Sequence, residues 1–211
     1  MGVNFLPYTS PMFQQYRLGT LSTVLFVAIV VVWFLSGRYL GLGWFASQNS
    51  SLLLQIGAVD GAALSRGEFW RLIASQFLHV HFLHMLFNAC AIFVLAHAVE
   101  RGVGKTALVC TYFIGGTIGQ YFSVLFQPGL VSSGASQALM ALCGFAVVCA
   151  RRCGFPPFVF VGTLAIVGVQ AGLDIAVSGS IKAGHGFGFV AGALIGIFCI
   201  AFMYIRVRNT P

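Results

Sequence analysis

Polar positions are so few in this chain that they divide it into blocks. A helix that crosses a bilayer needs about 20 mostly apolar residues. Six stretches meet or approach that length: 21–40, 82–99, 106–126, 136–150, 157–177 and 185–205. They predict an all-α integral membrane protein, a bundle of six transmembrane helices. The fourth stretch is short for a span, so its polar head is expected below the membrane surface. The segment 41–80 is too long and too polar for a simple hairpin. It mixes apolar pieces with Asp60, Arg66, Glu68 and Arg71 and reads as a folded outer loop between helices one and two, partly resting in the interface. Trp44 and Trp70 suit an aromatic belt there. The resulting organisation is a short cytoplasmic segment 1–20, one membrane domain 21–207 and a tail 208–211. The first apolar run follows a polar segment and has no small-residue cleavage pattern behind it, so it is read as a retained helix rather than a signal peptide.

Composition agrees. Apolar residues make up 59% of the chain and charged residues 7%, against roughly 25% charge in a soluble domain. The 26 glycines fit close helix approach in lipid, where small residues line the interfaces. The net charge of +7 does not indicate a nucleic-acid partner, because the basic residues sit singly or in pairs at the ends of apolar runs. There they set topology. With both termini cytoplasmic, the inner side holds Arg17, Arg101, Lys105, Arg151, Arg152, Arg206 and Arg208, and the outer side Arg38, Arg66, Arg71 and Lys182. That excess inside favours this orientation. The six cysteines lack the close pairing of a metal or redox site and read as small packing residues; no metal or cofactor is expected.

Orientation then groups the polar residues. Helices two, four and six start on the outer side. His84, Ser136 and His185 lie at or near their starts, and Asn88 lies one turn below His84 on the same face. Polar groups in membrane helices are costly and usually face inward for function. Ser136 follows Gly134-Ala135 at a helix head, where free backbone N–H groups carry partial positive charge suited to an oxyanion. His185 is a candidate general base. Gly188, Gly192 and Gly196 follow it at +3, +7 and +11. They form a groove that would bring helix six against helix four and the imidazole to Ser136. Each feature also has a bland reading: a helix cap, a packing motif with an incidental histidine, or helix glue for His84 and Asn88. His79 and His81 could be interfacial residues or tie the loop to this region, Glu100, beside Arg101, reads as a structural ion-pair or capping residue, and His97 has no assigned role. No motif ties an acid to His185; Asp174, near the outer end of helix five, stays unassigned.

Together these residues resemble the rhomboid family of intramembrane serine proteases. The resemblance covers most of the chain: Gly67-Glu68-Phe69-Trp70-Arg71, His79, His84-Met85-Leu86-Phe87-Asn88, Glu100, Gly134-Ala135-Ser136, and His185 with its glycine series. It implies Ser136 as nucleophile, His185 as base, His84 and Asn88 as part of the oxyanion hole, and a structural Trp70-Arg71 pair in the first loop. It also implies transmembrane proteins as substrates and a bacterial inner membrane as the setting. Three positions depart from the pattern: Gln137 where glycine usually follows the serine, Met140 where an aromatic ring usually packs on the histidine, and Phe187 where glycine is common. A non-cleaving family member that only binds transmembrane segments is the alternative. A small transporter fits less well, because the polar residues cluster near one face and not at the midplane.

Overall fold

The computed structural model describes residues 19–208. The expected N-terminal segment up to Leu18, with Arg17, and the tail from Asn209 lie outside the described residues. Within them the chain is all-helical, its one β feature an isolated bridge between Val59 and Ser132. Five helices are long and apolar enough to cross a membrane: α1 (Thr20–Tyr39), α5 (Phe82–Gly102), the continuous run Lys105–Phe126, α9 (Pro157–Ser178) and α10 (Ala183–Arg208). The Lys105–Phe126 run comprises α6 (Lys105–Val109), a π-helical stretch Cys110–Gly115, and α7 (Gly116–Phe126). The segment after α1 carries short helices α2 (Ser50–Ile56), α3 (Gly61–Ser65) and α4 (Arg71–Ala74).

The sixth apolar helix, α8 (Ser136–Cys149), has 14 residues. At 1.5 Å per residue it is about 21 Å long, against about 30 Å of hydrocarbon. Every residue of it except Val147 and Val148 is buried. A helix apolar on all sides belongs in the centre of a bundle, and α8 is that centre, lined by α5, α7, α9 and most extensively α10.

The α8–α10 contact is as close as the sequence implied. A Cβ added at Gly192 would overlap the Ala141 carbonyl, and one at Gly144 the Phe189 carbonyl. The two backbones therefore touch, and only hydrogen fits at either position. Gly196 is looser; a Cβ there would stand 3.2 Å from Cys149 Sγ. At the far end of the bundle, Glu100 of α5 accepts from the Leu21 and Ser22 amides at 3.1 and 2.8 Å. It thereby caps the first turn of α1, whose N–H groups have no intrahelical acceptor. His97, which carried no assignment, accepts from the Gly19 amide at 3.1 Å.

Segment 41–80 is held by Arg71. Its guanidinium donates to the Leu54 and Ala58 carbonyls at 2.5 and 3.0 Å, pairs with Glu68, and lies 4.7 Å from the centre of the Trp70 ring. Glu68 also pairs with Arg66 at 2.7 Å, and hydrogen bonds from Arg66 and Arg71 hold its carboxyl below the usual range. Arg71→Ala is expected to lower stability by about 2 kcal/mol or more, because it orphans two carbonyls. Arg71→Lys should recover little, since an ammonium cannot reproduce the planar fork. Melting in detergent checks both.

Candidate active site

Three helix starts converge at one end of the bundle. Gly134, at φ +122°, turns the chain into α8. This is a conformation glycine tolerates and bulkier residues rarely adopt, and it leaves Ser136 as the first residue of α8. His185 sits in the first turn of α10, and His84 in the first turn of α5. All three line a cavity of about 630 Å³, walled also by the 126–133 connection and by residues 177–184.

Ser136 Oγ and His185 Nε2 stand 2.8 Å apart, and both residues are buried. The opposite imidazole nitrogen, Nδ1, stands 2.6 Å from Asp174 Oδ2. Asp174 is 1% exposed and also accepts from the Lys182 amide at 3.1 Å and from Gln170 Nε2 at 3.2 Å. Asp174, which no motif ties to His185 in the sequence, is the acid beside it. α9 ends at Gly179, whose φ of +73° reverses the chain. The short connection to α10 then sets the last turn of one helix against the first turn of the next. Gln137 lies on the other side of the serine: Oε1 is 3.2 Å from Ser136 Oγ, and Nε2 donates to Ser123 Oγ at 3.2 Å. The amide is thus built into the site and does more than add bulk beside it.

The remaining candidates fall into place unevenly. His84 approaches Gly134, where a Cβ would lie 3.2 Å from its Cε1. Asn88 is buried, and its Nδ2 donates to the His84 carbonyl at 2.8 Å. One amide hydrogen remains for another acceptor, and Asn88 is not among the residues lining the cavity. Met140 is buried one turn below Ser136. Phe187, in the place of a glycine, stacks on Phe122 of α7 with centroids 3.7 Å apart and planes 7° from parallel. The strand leading to Ser136 is pinned by segment 41–80. The Gly134 amide donates to the Ser75 carbonyl at 2.9 Å, and Val59 and Ser132 exchange backbone bonds at 3.2 and 2.7 Å. The Ala135 amide donates to His79 Nε2 at 3.2 Å.

A buried serine–histidine contact at a shared cavity permits nucleophilic chemistry on many folds, so the family must come from elsewhere. The Rhomboid domain model matches residues 66–202, well over half the chain and every residue of this site. The chain belongs to the rhomboid family. It is similar to the rhomboid protease GluP of Bacillus subtilis (strain 168), 30% identical over 172 residues, covering 81% of this chain and 33% of that protein. It also resembles the putative rhomboid protease YdcA of the same organism, 38% identical over 104 residues, covering 48% of this chain and 52% of the relative. The rhomboid protease AarA of Providencia stuartii is 28% identical over 197 residues, covering 77% and 67%. The chain spans about a third of GluP and half of YdcA. With its apolar helices, this rhomboid chain is a multi-pass integral membrane protein.

In this rhomboid site His79 takes the second of its two readings, interfacial residue or loop tie: it joins segment 41–80 to the turn before Ser136. Burial first, and the neighbouring His84 second, push its ring down to about 3. An unfolded histidine titrates near 6.5, so between those values the unfolded chain binds the extra proton. This contribution is complete above pH 6.5 and declines as the pH falls, by roughly 1.4 kcal/mol per pH unit. The melting temperature in detergent is therefore expected to drop from pH 7 to pH 5, and to drop less in His79→Gln. An equal drop in both proteins would show that His79 is not responsible.

Proposed function

We propose that the chain is an intramembrane serine endopeptidase that cuts transmembrane segments of membrane proteins near the outer surface. The observation that carries this reading is the 2.8 Å approach of Ser136 Oγ to His185 Nε2 beside an open cavity. His185 takes the hydroxyl proton as Oγ attacks a peptide carbonyl, then returns it to the leaving amine. The Ser136 N–H, at the head of α8, and His84 serve the developing oxyanion in the cavity they line, with the free hydrogen of Asn88 one turn below His84 behind them. Water entering the cavity hydrolyses the acyl-enzyme. An intact helix hides its peptide bonds, so the substrate must offer an unwound stretch, and small or helix-breaking residues are expected at the cut.

Within this proposal α8 is the sixth membrane helix, with its head submerged. Residues 21–207 form one membrane domain, flanked by cytoplasmic 1–20 and 208–211, in a bacterial inner membrane. Segment 41–80 lies on the outer side; its exposed Trp44 and Trp70 rings suit the interface.

The test is labelling of purified protein by a serine-reactive fluorophosphonate, with cleavage of a model transmembrane substrate in liposomes. Labelling of Ser136 with a cut near the outer boundary is the expected result. A folded protein that neither labels nor cuts a panel of substrates would replace this reading with a binding-only one.

A further inference from the structure

Around Ser136 Oγ alone the hydrogen bonds allow two arrangements, and only one is reactive. In the first, His185 carries its proton on Nδ1 and gives it to Asp174, so Nε2 is a bare acceptor and Ser136 donates to it. In the second, the proton sits on Nε2 and is donated to Ser136 Oγ, while the serine hydroxyl donates to Gln137 Oε1. The distances accommodate both: 2.8 Å from Oγ to Nε2 and 3.2 Å from Oγ to the Gln137 amide oxygen. The second arrangement leaves no base for the serine proton. It exists because glutamine follows the nucleophile; a glycine at 137 would offer no side-chain acceptor.

Asp174 decides between them. An ionised carboxylate only accepts, so a carboxylate oxygen 2.6 Å from Nδ1 requires a proton there. The carboxylate is itself fixed, by the Lys182 amide on the same oxygen and Gln170 on the other. It cannot turn away to accommodate the other tautomer. Resting on the protease reading of Ser136 and His185, we infer that Asp174 is a positioning residue of this site. It holds His185 in the Nδ1–H tautomer against the competing acceptor on Gln137. In the reaction the serine proton passes to Nε2 as Oγ bonds to the carbonyl carbon. The Nδ1 proton stays between His185 and Asp174, which accepts no proton itself.

The decisive variant is Asp174→Asn, which keeps shape and, with its oxygen still accepting from Gln170, turns its NH2 to Nδ1 and so imposes the other tautomer. Its kcat on a transmembrane substrate is expected to fall at least about 30-fold, with KM within about threefold and the melting temperature almost unchanged. Phosphonate labelling should slow in step. Adding Gln137→Met, which removes the competing acceptor at similar volume, should recover part of the lost kcat. An unchanged kcat in Asp174→Asn overturns the inference. So does a loss of kcat accompanied by a matching loss of melting temperature, which would make Asp174 only a fastener of the α9–α10 turn.

A measurement on the unaltered protein stands apart from folding of the variant. Nitrogen-15 NMR of histidine-labelled wild type, with the His185 signals assigned by their loss in His185→Asn, should show a protonated Nδ1 and an unprotonated Nε2. The reverse tautomer overturns the inference even if the protein cuts substrate. An inert wild type, by contrast, overturns the protease reading whichever tautomer is found.

Discussion

Ser136→Ala should reduce cleavage of a transmembrane substrate by about 10⁴-fold or more, and His185→Ala by a similar factor. On the protease reading, the two side chains form one device. Without the serine there is no nucleophile, and without the imidazole the buried hydroxyl keeps its proton. Removing the second partner once the first is gone should therefore cost almost nothing. The double variant is expected to be no slower than either single one, measured by substrate turnover over long incubation. If instead the losses multiply, the two residues act in separate steps and the 2.8 Å contact is not the reacting pair. Phosphonate labelling discriminates further, because His185→Ala retains the serine but should label very slowly. Ser136→Ala should melt near the wild type, whereas His185→Ala leaves the buried Asp174 carboxylate without its imidazole partner and should melt lower.

Gly192→Val should cut cleavage about 100-fold although the residue lies two turns from the reacting atoms. Its new Cβ would occupy the space of the Ala141 carbonyl. A backbone atom cannot rotate aside as a side-chain tip can, so α10 must move away from α8. His185 travels with it, and a displacement near 1 Å at a catalytic group costs on the order of 10²-fold in rate. Overpacking should also lower stability by about 1–3 kcal/mol. The control is Gly172→Val on α9, where an added Cβ meets nothing within 4 Å. It should leave both turnover and melting nearly unchanged. Equal effects at the two positions would mean that glycine matters here for helix insertion and not for the α8–α10 approach.

Much of this arrangement could be read in advance because apolar length and glycine spacing are local signals. The six apolar runs match the observed helices within a few residues at each end, and the series Gly188, Gly192, Gly196 lies on α10 facing α8. Other contacts are set by how the chain returns on itself. Asp174 and His185 are 11 residues apart, on different helices, and no helical period links them. The signal that could have found the pair is Gly179: a glycine closing one apolar helix, four residues before the next begins, makes a tight turn that juxtaposes the flanking helical turns. Gln137 was legible as a departure from the family's glycine, but its direction was not. Whether its oxygen or its nitrogen faces Ser136 depends on Ser123, which α7 supplies. The capping of α1 by Glu100 was equally hidden, since it joins residues about eighty positions apart.

The pinning of the serine strand by Ser75, Val59 and His79 has a consequence for biosynthesis. These three residues, and all of α5, leave the ribosome before Ser136 does. Ser136 can thus settle onto a frame that already exists, whereas His185 arrives only with α10. On the protease reading, a nascent chain would hold an unarmed serine throughout its passage through the insertion machinery. It would gain activity only when α10 enters the bilayer, so premature termination anywhere before His185 would yield an inert membrane protein and not an unregulated protease.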